Sequence, residues 1–98
     1  MRIVFKMHRR GDETLLAMAD ANTIGKTFSD GKNSVSISPE FYGECPASEA
    51  EITAAIKEAT VINALGKKSV GILVEMGIVG KADVGHVCGL PHVQIYFM

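Results

Sequence analysis

The chain has 98 residues, 47% of them hydrophobic and 21% charged, with ten Lys and Arg against eleven Asp and Glu. That describes one globular domain over residues 1–98 with enough core to fold without disulfides, and it excludes disordered, fibrous and two-domain architectures. A net charge of −1 excludes the strongly basic domains that hold nucleic acid by charge alone.

The charge is unevenly placed. Residues 1–36 carry six basic and four acidic side chains, residues 37–66 one and five, and residues 67–98 three and two. An acidic middle between mildly basic ends allows a locally positive face wherever the ends meet. Lys6, His8, Arg9 and Arg10 break the apolar start, so it does not read as a signal peptide. No stretch approaches the roughly 18 uncharged apolar residues of a membrane span. Cys45 and Cys88, with no export signal, read as free thiols, and the expected location is the cytoplasm.

Residues 2–8 alternate, with Ile3, Phe5 and Met7 on one face and Arg2, Val4, Lys6 and His8 on the other, which predicts a half-buried strand. The stretch from Arg9 to Glu13 supplies a turn, and Thr14 to Ala19 reads as the antiparallel partner. Ser34 to Ser38 is a third strand, with Val35 and Ile37 inside, three serines outside and Pro39 as its stop.

A helix is expected after Pro46. Ser48 stands three residues before Glu51, the capping-box spacing. Glu49 and Glu51, two apart, do not face each other and serve as first-turn dipole partners. Ile52, Ala55, Ile56, Ala59, Ile62 and Leu65 recur at helical spacing, which carries this helix to a stop at Gly66, with Lys67 and Lys68 just past its negative end. Ser69 is read as the cap of a second helix, with Val70, Leu73 and Val74 facing the core and Gly77 closing it. Val84 to Cys88 reads as a short strand, and Val93 to Met98 as a last one with Val93, Ile95 and Phe97 on one face. The order β-β-β-α-α-β-β predicts an α+β domain, a mostly antiparallel sheet with two helices packed on one face.

Several short strings imitate known chemistry. Gly25-Lys26-Thr27 resembles the tail of a phosphate-binding loop, but the position that loop needs as glycine is Asp20, and the Ser29-Asp30-Gly31 turn follows where a helix is required. Gly66-Lys67-Lys68-Ser69 fails as well, because Lys68 stands where Ser or Thr must follow the lysine. His86, Cys88 and His92 form the one metal-like cluster, in which His86 and Cys88 would share a strand face; the alternative is a small thiol beside an edge histidine, and no metal is assigned. Cys88 with either histidine as a nucleophilic pair is a separate reading of the same residues. No cofactor is implied.

The loops are more informative. Residues 22–31 and 40–44 carry Lys26, Thr27, Phe28, Phe41 and Tyr42, with Lys32 just beyond the first. The aromatics either anchor the loops onto the sheet or form a stacking platform beside Lys26 and Lys32, which would suit single-stranded RNA.

Gly25-Lys26-Thr27-Phe28, Gly31, Phe41-Tyr42-Gly43, the Glu58-to-Gly66 stretch, Gly77 and Pro91-His92, in this order over nearly the whole chain, resemble the archaeal family of uncharacterised proteins catalogued as domain of unknown function 424. The resemblance implies a stand-alone protein of about this length, with no activity to carry over and an association with RNA and translation by analogy; Cys45 and Cys88 lie outside its pattern. Two functions are thus expected in competition. One is a non-enzymatic binding module for RNA or a translation-related protein, using the loop 22–32, the aromatic pair and the strand 34–38. The other is a small metabolite-binding protein or enzyme using His92 and Lys26 in a cleft. The last strand has no charged residue after Asp83, so it is expected either to lie centrally in the sheet or to pair with a second copy, and a homodimer is the favoured expectation.

Overall fold

A computed structural model describes residues 2–97. The N-terminal alternation produces β1 (Ile3–Arg10), which pairs antiparallel with β2 (Glu13–Asp20) from Ile3 opposite Asp20 to Arg10 opposite Glu13. Gly11 and Asp12 alone make the turn, and Gly11 adopts φ +57°, a conformation that glycine reaches without a Cβ penalty. Then follow β3 (Thr27–Ser29), β4 (Ser34–Ser36), the single helical turn α1 (Pro39–Tyr42), β5 (Pro46–Ala47), α2 (Glu49–Glu58), β6 (Val61–Leu65), α3 (Lys67–Glu75), β7 (Gly85–Val87) and β8 (Leu90–Tyr96). Six strands form one sheet in the order β5-β1-β2-β6-β8-β7, and β3 pairs with β4 in a separate hairpin. Only β2 and β6 run parallel, so the sheet is largely antiparallel and the class is α+β.

The expected long helix divides. Ser48 does cap α2: its hydroxyl accepts from Glu51 N at 3.1 Å while Glu51 Oε1 accepts from Ser48 N at 2.9 Å. The backbone bond from Ser48 holds the Glu51 carboxyl below the usual carboxylate range, with the hydroxyl assisting. But α2 stops at Glu58, and residues 61–65 form a strand instead of continuing to Gly66. Thr60 decides the break. Its hydroxyl oxygen accepts from Thr14 N at 2.8 Å and donates to Thr14 O at 3.2 Å, while its own N–H bonds the same carbonyl at 2.8 Å. That clamps the chain onto β2, and β-branched Val61 and Ile62 follow in extended form. The helical spacing of Ala59, Ile62 and Leu65 was a coincidence of a strand buried on both faces, where apolar residues need not alternate with polar ones.

The start of α3 also differs from expectation. Ser69 is not the cap; it lies inside the helix, fully buried. Gly66 occupies the cap position, and Lys67 and Lys68 open the helix rather than trailing one. The cap side chain comes from the end of β2: Asp20 accepts from Lys68 N at 3.1 Å and from Ser69 N at 2.9 Å. Gly66 is obligatory on two counts, its φ of +107° and a built Cβ that would stand 2.4 Å from the Asp20 carboxyl carbon. At the far end Gly77 closes α3 as expected, with φ +73° and Ile78 N bonded to Leu73 O at 3.0 Å.

Both faces of the sheet are covered. On one, α2 and α3 place Ile52, Ala55, Ile56, Val70 and Leu73 against Ile3, Leu16, Met18, Ile62, Ala64 and Val93. On the other, β4 and α1 with their loops bring Ile37 and Tyr42 onto Val4, Ala17, Ala19 and Leu65. Leu16, Met18 and Ile62 have no exposed surface, and burying each such side chain contributes about 1.5–3 kcal/mol. The second cover is shorter than the first, which creates the site described next.

Candidate functional site: an open sheet face

Alternation sends Val4, Lys6, His8 and Arg10 of β1 to the second face, together with Leu15 and Ala17 of β2. Through the register, Val61 and Asn63 of β6 and His92, Gln94 and Tyr96 of β8 join them. The upper half of this surface lies beneath Ile37 and Tyr42. The lower half is a groove of about 530 Å³ lined by His8, Arg9, Arg10, Leu15, Phe41, Val61, Gln94 and Tyr96, with Glu13 at its rim.

One wall is built by α1. Ser38 caps it through a 3.1 Å bond from Glu40 N, and Pro39 starts it. The chain then presses on β1 so closely that a Cβ at Gly43 would stand 2.7 Å from Phe5 O. Phe41 stacks on the His8 ring (centroids 5.0 Å apart, planes at 21°), and His8 Nε2 donates to Phe41 O at 2.7 Å. Across the floor, Tyr96 is 66% exposed, and its hydroxyl accepts from Gln94 Nε2 at 2.8 Å. Arg9 reaches Glu58 at 3.3 Å and Thr14 at 3.4 Å, with both charged side chains of the pair largely exposed. An aromatic pair, an exposed tyrosine ring and Arg10 thus border an apolar floor, while the Arg9 side chain turns to Glu58 on the other face.

Between the covered and open halves sits a small polar cluster. The Tyr42 hydroxyl donates to Asn63 Oδ1 at 3.1 Å, and His92 Nε2 meets the same oxygen at 3.3 Å. An amide oxygen only accepts, so His92 carries its proton on Nε2. Burial lowers the His92 pKa and raises that of Tyr42.

The residues singled out in the sequence are not gathered together. Tyr42 and Phe28 turn inward to the second core, Tyr42 almost fully, so they are anchors rather than a platform. Thr27 bonds Ser36 across the β3–β4 hairpin at 2.9 Å, and Lys32 lies exposed in the loop joining those strands. Lys26 lines a smaller hollow of about 290 Å³ with Phe28, Lys67 and Leu90. His92 faces Asn63 rather than that hollow, so the cleft expected to combine Lys26 with His92 does not form. Only Phe41 of the set borders the groove. Lys26 and Lys67 gather at one end of the sheet and Arg9 and Arg10 at the other, so the basic residues make no single face.

The metal-like cluster is also dispersed. His86 is exposed on β7, opposite Pro91. Cys88 lies in the β7–β8 turn rather than on the strand, with φ +47° and its Sγ 3.6 Å from Asn33 O. Among the described residues no three His, Cys, Asp or Glu side chains lie close enough to hold a metal ion. Cys45 and Cys88 are unpaired, as expected. The start of α3 is no anion site either, because Asp20 already fills it. Among the described residues no helix is long and apolar enough to cross a membrane.

His8, Arg10, Gln94 and Tyr96 were not recognised as a site in the sequence. Alternation assigned His8 to the face away from Met7 but could not supply its neighbours, and Arg10, read as part of the turn, continues β1 on the same face as His8.

A single α+β domain with a doubly covered mixed sheet and one open quadrant defines the class. The chain belongs to the family described as protein of unknown function (DUF424), which it matches over residues 8–98. Among solved structures it is similar to a crystal structure of an uncharacterized conserved protein from Methanopyrus kandleri, with 27% sequence identity, a TM-score of 0.86, and coverage of 100% of this chain and 93% of that one. No curated protein matches.

Proposed function

We propose that this protein is a cytosolic, non-enzymatic binding module that takes single-stranded RNA on the open half of its sheet. The observation that carries this reading is the 66% exposure of Tyr96 across the floor from the stacked His8–Phe41 pair, with Arg10 on the rim. An apolar floor with exposed aromatic faces offers stacking surfaces to unpaired bases, while the Arg10 guanidinium at the edge meets a phosphate. Two unpaired thiols fit a reducing compartment. The small net charge makes affinity modest and dependent on salt.

The test is fluorescence anisotropy with a labelled single-stranded oligoribonucleotide at low salt. Tyr96→Ala should weaken binding about 5- to 100-fold, the loss of one stacked base, without changing the melting temperature. Arg10→Ala should reduce the salt slope by about 0.7. Lys26→Ala should leave both unchanged. Absence of binding at about 100 μM protein, or affinity indifferent to Tyr96→Ala, overturns the reading.

A further inference from the structure

The groove is open along one side, and that side is a strand edge. β7 covers β8 only from Leu90 to His92, and beyond this no described residue pairs with the outer edge of β8. The bonding phase shows which groups are left. Phe97 N donates to Thr60 O and Gly66 N to Pro91 O, both at 2.9 Å, so odd-numbered residues of β8 turn their backbone groups to β6. The N–H and C=O of Gln94 and Tyr96 therefore point outward. No charged residue, proline or bulge protects this stretch, although natural sheets normally blunt an open edge with one of them. Among the described residues, two of the three large exposed hydrophobic ones, Tyr96 and Phe97, lie here, at 66% and 43% exposure.

We propose that this edge pairs antiparallel with β8 of a second copy across a two-fold axis, completing the open side of the groove. With Ile95 on the axis, Gln94 stands opposite Tyr96 of the partner subunit and the reverse, so all four outward backbone groups of each copy are satisfied. On the helix side Ile95 meets its own symmetry mate. On the groove side Tyr96 lies beside Gln94 of the partner subunit, and the two grooves join into one surface.

A second copy fits better than an unrelated strand. The edge is its own complement in bond phase and side-chain face, and no charged residue from Val84 to Phe97 opposes the approach of its twin. That the joined surface serves RNA rests on the preceding proposal; the pairing itself rests on the edge.

Light scattering coupled to gel filtration at about 100 μM, without RNA, tests the pairing. The expected mass is twice the 10.5 kDa of the chain. Gln94→Pro removes an outward N–H and leaves every bond to β6 in place, a position where edge strands accept proline; it should run as a folded monomer by circular dichroism. Should that variant lose its fold, Phe97→Asp at the exposed edge is the second monomerising change. A wild-type mass near 10.5 kDa overturns the pairing, as does a folded Gln94→Pro that stays dimeric. A peptide partner instead of a second copy would appear as the first of these outcomes. A dimer that binds no RNA overturns only the RNA reading, and a monomer that binds RNA overturns only the pairing.

Discussion

The junction of Asp20 with Gly66 should behave as one unit, and a double-mutant cycle measures that. Asp20→Ala leaves Lys68 N and Ser69 N without acceptors. Ser69 is fully buried, and loss of a cap over buried donors costs about 2 kcal/mol. Gly66→Ala meets two penalties. A side chain at φ +107° and ψ 160° lies in a region held almost only by glycine and costs about 1.5 kcal/mol. Its Cβ would also stand 2.4 Å from the Asp20 carboxyl carbon. The carboxylate must then leave its two amides, which adds the same cap loss and brings the total to about 3.5 kcal/mol. In the Asp20→Ala background the obstruction is gone, so only the backbone strain remains. The double variant should therefore match Gly66→Ala at about 3.5 kcal/mol, roughly 2 kcal/mol short of additivity. Urea unfolding followed by circular dichroism reads this directly, and a 2 kcal/mol difference corresponds to about 8–16 °C in a domain of this size. Costs that add within about 0.5 kcal/mol would refute the reasoning, because they would mean the carboxylate makes room without losing its bonds.

Two further outcomes concern stability. Burial lowers the His92 pKa, so the unfolded chain binds the proton more readily than the folded one. Stability is then fully present above the unfolded value near 6.5 and falls as pH drops through it toward the lower folded value; His92→Gln should flatten urea midpoints across pH 7 to 5, and an unchanged profile would count against burial as the cause. Cys88→Asn should stabilise the protein by about 0.5 kcal/mol, because Cys88 and Gly89 adopt φ +47° and +81° in a two-residue hairpin turn where asparagine is at home; a lower melting temperature would show that the Sγ contact with Asn33 O matters more.

What was legible in the sequence depended on how local each signal was. The β1–β2 hairpin, the Ser48–Glu51 box and the Gly77 stop each close within a few residues and each forms as expected, although the hairpin turn is only Gly11-Asp12 rather than Arg9 to Glu13. Residues 59–66 were misread because the deciding interaction, Thr60 with Thr14, spans 46 positions. The cap of α3 was misplaced for the same reason: Ser69 lay at hand, while Asp20, 48 and 49 positions away from the amides it bonds, does the capping. Gly66 had two local readings, helix stop or turn, and only the approach of Asp20 distinguishes them.

The groove lies at the far end of that scale. His8, Val61 and Tyr96 each read locally as an ordinary strand position. They become neighbours because β2 and β6 run parallel, which sets β6 and then β8 beside the first hairpin. A parallel pair requires a long crossover, here residues 21–60. The same crossover supplies the covers, since it contains both α2 on one face and the β3–β4 and α1 segment on the other. That second segment spans only part of its face. Ile37 and Tyr42 cover Val4, Ala19 and Leu65, while Phe41 stops at His8 and leaves Tyr96 bare. The open quadrant is thus set by how far one turn of helix reaches.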